Sequence, residues 1–591
     1  MTEITKSITY LNEYKSLKKA VDEGKTPVLT VGLSAIHKAN LAAALGADTA
    51  RPVLVLTDDD NAANRFAADL RGFSEREVVV LPPRELVMAD VAGVSRGYEQ
   101  ARLAALDTLS GACFAVASVQ AAAQRTMPPA LLASSIVTLK AGEEAPLDEL
   151  THRLTDAGYE RCSQVEGMGQ FSVRGGILDI FPPQAEHPYR VEFWDDEIDS
   201  ISTFDVGSQR RLEQCETLRC LPCMEALPSL AKGGAAGLAK AVAALASSRR
   251  KKQHADLQKN LERDAERLRE NGTLPAADKY LPLIYPQMAT AFDYLPENTL
   301  ILIEDTPRLR AAARDFHARI ADDVTALMER GEMPGGMDGY ALDFAGICSI
   351  KRQIVRMDSF LNSIPELAPQ HLENFVANQM NAYGGNLDMA SADIRSYTEQ
   401  GRAVAVVCGS TLRCKNMFDA LTDSGLKVQL SDLLPKGGCV NIMEGTISAG
   451  FEYPDLGLVV MTEGQVLARR KKAKVKRSNR DRVKSFTDLS PGDLVVHEHH
   501  GIGRFIGMER MTVDGSERDF IKIAFAGTDF LYVPATSLDL ISKYIGSGDT
   551  ERVRLNRLGG TDWTKAKARA KAAAKELADG LIKLYAARVQ P

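Results

Sequence analysis

The stretch from Gln170 to Arg211, QFSVRGGILDIFPPQAEHPYRVEFWDDEIDSISTFDVGSQRR, decides how the chain is organised. Phe171 and Val173, then Ile177, Asp179 and Phe181, alternate with the period of strands, and Gly175-Gly176 separates the two runs. Pro182-Pro183 interrupts the pattern, and Tyr189 to Trp194 resumes it. Asp195-Asp196 then supplies a turn before a third run, Ile198 to Phe204. These residues predict a small antiparallel meander. Arg174, Arg190 and Trp194 fall near strand centres or ends, where such side chains must pair or face a partner.

Two segments, FSVRGGILDIFP (171–182) and YRVEFWDDEIDSISTFDVGSQR (189–210), carry a resemblance. They resemble the domain shared by the UvrB and transcription-repair coupling factor families that docks onto UvrA. The resemblance implies a UvrA-binding surface of Arg174, Arg190 and Trp194, the last standing where those families usually have Phe. Arginine suits such a surface because its guanidinium makes planar bidentate contacts, and tryptophan because it buries a large area. On this reading Arg174→Ala or Arg190→Ala weakens UvrA binding and leaves thermal stability unchanged. The alternative is a strand-face arginine paired to Asp195 or Glu192.

The 591 residues predict about four domains. A hydrophobic share of 45% and a charged share of 25% are ordinary for a globular protein able to bury a core. The net charge of −6 excludes a general polyanion binder. No run of about eighteen apolar residues is present and the first residues, MTEITKSITYLNEYK, are polar, so no membrane association and a cytoplasmic location are expected. Nine cysteines without framework spacing suit a reducing compartment. Cys215, Cys220 and Cys223 allow a zinc-site reading, but with no second C-x-x-C and no nearby histidine the packing reading is favoured and no metal is expected.

From Met1 to about Lys140, apolar runs at Val28–Val31, Val53–Leu56, Val78–Leu81 and Phe114–Ala117 alternate with helical stretches at 37–45 and 62–71, which implies a parallel sheet wrapped by helices. The strand, Gly32 and following helix have the spacing of a phosphate-binding loop. His37 stands at the second glycine and Ala39 at the Mg²⁺-binding hydroxyl, and only Lys38 fits. Gly32, His37, Lys38 and Ala39 therefore read as an eroded loop, predicted inactive. Gly24-Lys25-Thr26 precedes its strand and is a false match. Leu300 to Thr306 has the form of an apolar strand ending in paired carboxylates, Glu304 and Asp305, which without the loop read as solvated acids at a strand end. UvrB-like elements with a dead nucleotide loop point to the transcription-repair coupling factors rather than to UvrB.

Residues 226–348 read as helices and one buried strand. Leu257, Leu261, Ala265 and Leu268 form one face of a charged helix over 255–271. The resemblance makes this segment the second part of the first α/β domain. Residues 349–466 predict a further small α/β unit with strands at 403–407 and 458–461 and a helix at 410–421. Arg469 to Arg477, RRKKAKVKR, has seven basic residues in nine and reads as a solvated linker; the other reading is loose, salt-sensitive contact with phosphates.

Between Leu489 and Tyr544 four short runs, 494–497, 504–508, 520–525 and 530–533, are separated by turns such as Asp514-Gly515, and predict an SH3- or Tudor-like barrel. An open barrel edge can pair with a partner's strand. His497, His499 and His500 invite a metal, but strand alternation splits His499 from His500, and turn histidines are the favoured reading. PGDLVVHEHHGIGRFIG (491–507) and DFIKIAFAGTDFLYVPATSLDLISKY (519–544) resemble the CarD-like RNA-polymerase-interacting domain of the coupling factors. That resemblance implies pairing with the polymerase β subunit through Arg504, Phe505, Ile506, Met511 and Val513. Ala570, Ala574, Leu577, Leu581 and Leu584 line one face of a helix over 562–588, with Trp563 after Gly559-Gly560 and Arg557 in place of the family's Lys. In the family this helix leads to an ATP-driven DNA translocase, so a piece of a longer chain is expected.

The expected fold is multidomain α/β. Residues 1–144 and 226–348 form a degenerate P-loop-type parallel domain, 145–225 an inserted meander domain and 349–466 a small α/β domain. A basic linker at 467–486, a barrel at 487–548 and a linker helix at 549–591 follow. The expected function is transcription-coupled DNA repair, with UvrA and RNA polymerase β subunit as partners, a monomeric state, and no cofactor in this chain. ATP, Mg²⁺ and duplex DNA are expected only for the motor portion of the family. The alternatives are a stand-alone CarD-like transcription regulator and a UvrB-type nucleotide-dependent repair enzyme.

Overall fold

The computed structural model describes residues 2–89, 96–247, 255–380, 382–383, 386–431, 433, 437–467, 492–497, 500–513, 516–527, 529–534, 540–544 and 555–557, with backbone alone at 2, 255, 510–513, 516–519 and 534. The basic linker and the helix expected over 562–588 lie outside the described residues. The chain divides into two compact units, residues 1–85, 102–131 and 285–474, and residues 86–101, 132–284 and 475–591. Among the described residues no helix is long and apolar enough to cross a membrane.

In the first unit, apolar runs without alternation become strands buried on both faces. Val28–Val31, Val53–Thr57, Phe114–Ser118 and Leu300–Ile303 are each buried at every position. They belong to a seven-stranded sheet in the order 371–374, 28–31, 354–357, 300–303, 53–57, 114–118, 78–81. All its pairings are parallel. The strands Ile354–Met357 and His371–Asn374 thus belong to this sheet, past the expected domain boundary at 348, which is corrected. Arg356 had disguised the first of them. Its guanidinium is fully buried and bonds Asp358, Asn362, Thr306 and the Leu367 carbonyl.

A second sheet of this unit runs 378–379, 451–453, 458–462, 403–408, 440–444, 428–430. Its inner residues share one core with the first sheet. Helix Ala35–Thr49 lies in that shared core and buries every residue from Ile36 to Gly46, so its sequence AIHKANLAAALG is mostly small and apolar, with His37, Lys38 and Asn40 as buried polar members. The Tyr453 hydroxyl donates to Asn40 Oδ1 at 2.8 Å. Ser448 donates through both its amide and its hydroxyl to Asp69, each at 2.7 Å. Gly72 is required beside that junction, because a Cβ there would stand 2.1 Å from the Thr446 carbonyl oxygen.

The second unit contains the meander. Its antiparallel strands run in the order 211–215, 197–204, 189–194, 177–180, 170–174, and the short strand Glu160–Arg161 adds in parallel. Strand Val137–Lys140 pairs with Thr217–Cys220, so this fold begins before the expected boundary at 145. Residues 226–284 also group with this unit rather than with the parallel sheet, a correction to the expected second part of the first domain. Helix Ala255–Asn271 packs on helix Gly234–Ser247 and buries Leu257, Leu261, Ala265 and Leu268, the predicted face. Cys220 and Cys223 are buried free thiols beside Tyr159, and burial pushes Cys220 up to about 12. A thiol so held is protonated and packs as an apolar group.

In the same unit, strands 530–534, 516–524, 501–513, 494–497 and 541–543 form a five-stranded antiparallel sheet in that order. Val495, Phe505, Ile521, Ile523, Phe525, Val533 and Ile541 fill its core. The strands Gly501–Val513 and Ser516–Ala524 are longer than the sequence pattern indicates.

Candidate protein-docking sites

The meander places Arg174 and Arg190 on one buried carboxylate. Asp179 pairs across the sheet with Ser172 on one side and Arg190 on the other, and its side chain is 1% exposed. Arg190 Nε donates to Asp179 Oδ1 at 2.7 Å and Nη2 to Oδ2 at 2.9 Å, a fork that satisfies both oxygens. Arg174 Nη2 reaches Oδ2 at 2.7 Å. The Arg190 guanidinium also lies 4.7 Å over the Phe204 ring and donates to the Gln209 carbonyl. The hydrogen bonds to Asp179 hold it above the ordinary guanidinium range, so its charge is fixed.

The alternative pairing to Asp195 or Glu192 is not what forms. Glu192 pairs with Arg211 and accepts from Ser200 instead. Exposure separates the two arginines, since the Arg174 side chain is 50% exposed and that of Arg190 only 15%. Trp194 is 82% exposed at the end of its strand, just before Asp195 in the left-handed conformation. Strand alternation sets Arg190, Glu192 and Trp194 on one face. Gly175 takes a φ of +59°, and a Cβ on Gly176 would stand 3.0 Å from the Phe193 carbonyl oxygen, which explains the paired glycines of the first turn. The outcome is an exposed indole and a half-exposed guanidinium on a face pinned by a buried ion pair.

The barrel offers a different kind of surface. Strand Gly501–Val513 pairs with Leu494–His497 only as far as Arg504, and residues 492–493 extend that bonding to Phe505. From Ile506 onward only Ser516–Ala524 pairs with it among the described residues, so this half is an open edge. Phe505 is 3% exposed and sits in the core, which corrects its assignment as a contact residue. Ile506 is 42% exposed, and Arg504 donates to the Gly492 carbonyl. The side chains of Met511 and Val513 lie outside the described residues.

The nucleotide-loop residues are engaged in packing. The helix begins at Ala35, leaving Leu33 and Ser34 as the whole connection after Gly32. A Cβ on Gly32, whose φ is +83°, would lie 2.0 Å from the Phe375 carbonyl oxygen, so a neighbouring segment presses against the turn. His37 is fully buried, bonds Ser34 through Nδ1 at 2.8 Å and packs against Phe451 and Tyr453. Its burial pushes the imidazole down to about 4. Lys38, also buried and lowered by desolvation, donates to the Glu304 carbonyl. Asp305 caps the helix Thr306–Glu329 and accepts from Ser359, rather than standing as a solvated acid. Ala39 is buried in the core.

The sequence pattern did not reveal Asp179 as the anchor of the arginines, nor the approach of His497, His500 and Glu166. The ligand atoms of these three lie within 4.8 Å of one another.

Two family models match the chain. One, described as the UvrB interaction domain, covers residues 137–225, and the other, described as the CarD-like/TRCF RID domain, covers residues 489–545. The transcription-repair-coupling factor of Bacillus subtilis strain 168 is 31% identical over 603 residues, spanning 100% of this chain and 51% of the relative. That of Staphylococcus aureus strain USA300 is 27% identical over the same shares, and that of Staphylococcus epidermidis strain RP62A is 27% identical over 96% of this chain. The chain spans about half the length of these curated relatives. Both matched domains and the end-to-end similarity support an N-terminal portion of a transcription-repair-coupling factor.

Proposed function

We propose that this chain is the adaptor portion of a factor that links stalled transcription to nucleotide excision repair. It recruits UvrA through the meander face and grips the β subunit of RNA polymerase through the open barrel edge. The observation that carries this reading is the pairing of an 82%-exposed Trp194 with a half-exposed Arg174 on a sheet otherwise closed by Asp179 and Arg190. A large aromatic and an arginine, held rigid and left uncovered on their own unit's surface, have the composition of a binding hot spot. The buried ion pair fixes the backbone beneath them, which limits the ordering cost of association.

The barrel edge supports the second contact. Backbone groups from Ile506 onward that have no second strand beside them among the described residues can extend the sheet with a strand of the partner, and Ile506 offers an apolar side chain beside them. The nucleotide loop takes no part in this reading. Its lysine is committed to a carbonyl, and its three-residue connection, Gly32 to Ser34, offers little backbone to wrap a phosphate. ATP-driven displacement of polymerase and contact with duplex DNA are assigned to the rest of the factor. The adaptor acts as a cytoplasmic monomer.

Titration of purified UvrA against the parent chain and against Trp194→Ala tests the first contact. At least tenfold weaker binding by the variant supports it, and equal binding overturns it.

A further inference from the structure

Glu166, His497 and His500 come together from segments more than three hundred positions apart in the sequence. His497 ends the barrel strand Leu494–His497 and is fully buried. His500 follows in the turn, which Gly501 closes with a φ of +87°. The two imidazole rings stand 4.7 Å apart, centroid to centroid. Glu166 belongs to the loop between the strands Glu160–Arg161 and Gln170–Arg174. The Gln170 side chain clamps that loop by accepting from the amides of Glu166 and Gly167 at 2.9 and 3.0 Å. Gly167 itself packs on Leu540 of the barrel, close enough that a Cβ would stand 3.1 Å from its Cδ1. The carboxylate is therefore presented from a fixed backbone.

We propose that these three residues form a site for a divalent transition metal, zinc by its ligand set, that clasps the 163–169 loop to the barrel. His500 Nε2 lies 3.5 Å from Glu166 Oε1. That is too long for a normal hydrogen bond, and His500 Nε2 is buried without one. It is close to the ligand-to-ligand spacing of roughly 3.3 Å that bonds of about 2.0 Å impose around a tetrahedral zinc ion. Two imidazoles and one carboxylate select zinc and its late-transition neighbours over magnesium or calcium, which take oxygen donors. Three protein ligands leave the fourth position to water. The clasp is independent of the docking roles, since none of its ligands lies among the residues assigned to UvrA or polymerase.

The test uses the untagged chain stripped with a chelator and titrated with Co²⁺ and Zn²⁺. The expected result is one equivalent of Co²⁺ with the intense visible band of a four-coordinate ion, displaced by Zn²⁺. Competition with a chromophoric chelator should give a micromolar or tighter Kd for zinc. Glu166→Gln and His500→Gln, whose parent side chains are 32% and 23% exposed and so suit replacement without unfolding, should each weaken zinc at least tenfold. Cys215→Ser should leave binding unchanged. No zinc bound at tens of micromolar, or equal affinity for the parent and both ligand variants, overturns the proposal.

Discussion

Arg190 holds Asp179 through both carboxylate oxygens, at 2.7 and 2.9 Å, inside a sheet where the Asp179 side chain is 1% exposed. This contact divides the two arginines that the sequence pattern treats alike. Arg190 is a structural member of the meander, whereas Arg174 adds a third bond to the same carboxylate and keeps half its surface open.

Arg190→Ala should therefore destabilise the chain, against the expectation that it leaves stability unchanged. Removing Arg190 leaves the buried Asp179 carboxylate with a single bond, from the half-exposed Arg174, at a cost of about 2 kcal/mol or more. Arg174→Ala should cost less than about 1 kcal/mol, because its guanidinium is half-exposed and Arg190 still satisfies Asp179. Urea unfolding of the two variants checks the order. Equal losses, or a larger loss for Arg174→Ala, would contradict it.

Helix Asp60–Phe73 meets the 446–448 segment without room for a side chain at Gly72. Gly72→Ala places a methyl 2.1 Å from the Thr446 carbonyl oxygen, and an overpacked junction of this kind costs roughly 1–3 kcal/mol. Gly111→Ala, whose nearest neighbour would be 3.9 Å away, is the control and should be close to neutral. Thermal melts of the two variants measure the difference.

His37 predicts an acid-sensitive first unit. The imidazole titrates at 6.5 when free and at about 4 in the folded chain, with burial as the main cause. Between those values the unfolded state binds more protons, so stability is unaffected above 6.5 and falls as pH drops towards 4, by up to roughly 3 kcal/mol. Unfolding free energies at pH 7, 6 and 5 should decline for the parent and decline less for His37→Gln. Parallel slopes would remove His37 from the account.

In the barrel, neighbouring residues should separate folding from binding. Phe505→Ala empties a core position and should cost about 3–5 kcal/mol. Ile506→Glu, on an exposed position of the open strand, should leave the melting temperature in place and weaken capture of the polymerase β subunit at least fivefold. Retained capture by Ile506→Glu would exclude this edge.

Much of the fold was legible because sheets buried on both faces demand unbroken apolar runs. Val53–Thr57, Phe114–Ser118 and Leu300–Ile303 declare themselves in that way. Ile354–Met357 does not, since Arg356 interrupts the run, and the network that makes a buried guanidinium tolerable is formed by residues up to fifty positions away. His371–Asn374 is a half-buried edge strand of HLEN and carries no apolar signal. The meander's alternation gave its strands, but alternation alone does not say whether the polar face is wet. Asp179 sits on that face and is buried, because two arginines cover it. The adjacency rule that split His499 from His500 was silent about His497 and Glu166, which only the tertiary fold brings close.

The most direct test of the adaptor reading is isothermal titration of UvrA into the parent chain and into Trp194→Ala, with thermal melts in parallel. The account predicts affinity at least tenfold weaker for the variant and an unchanged melting temperature, because Trp194 is 82% exposed. Equal affinity for the two chains would contradict it.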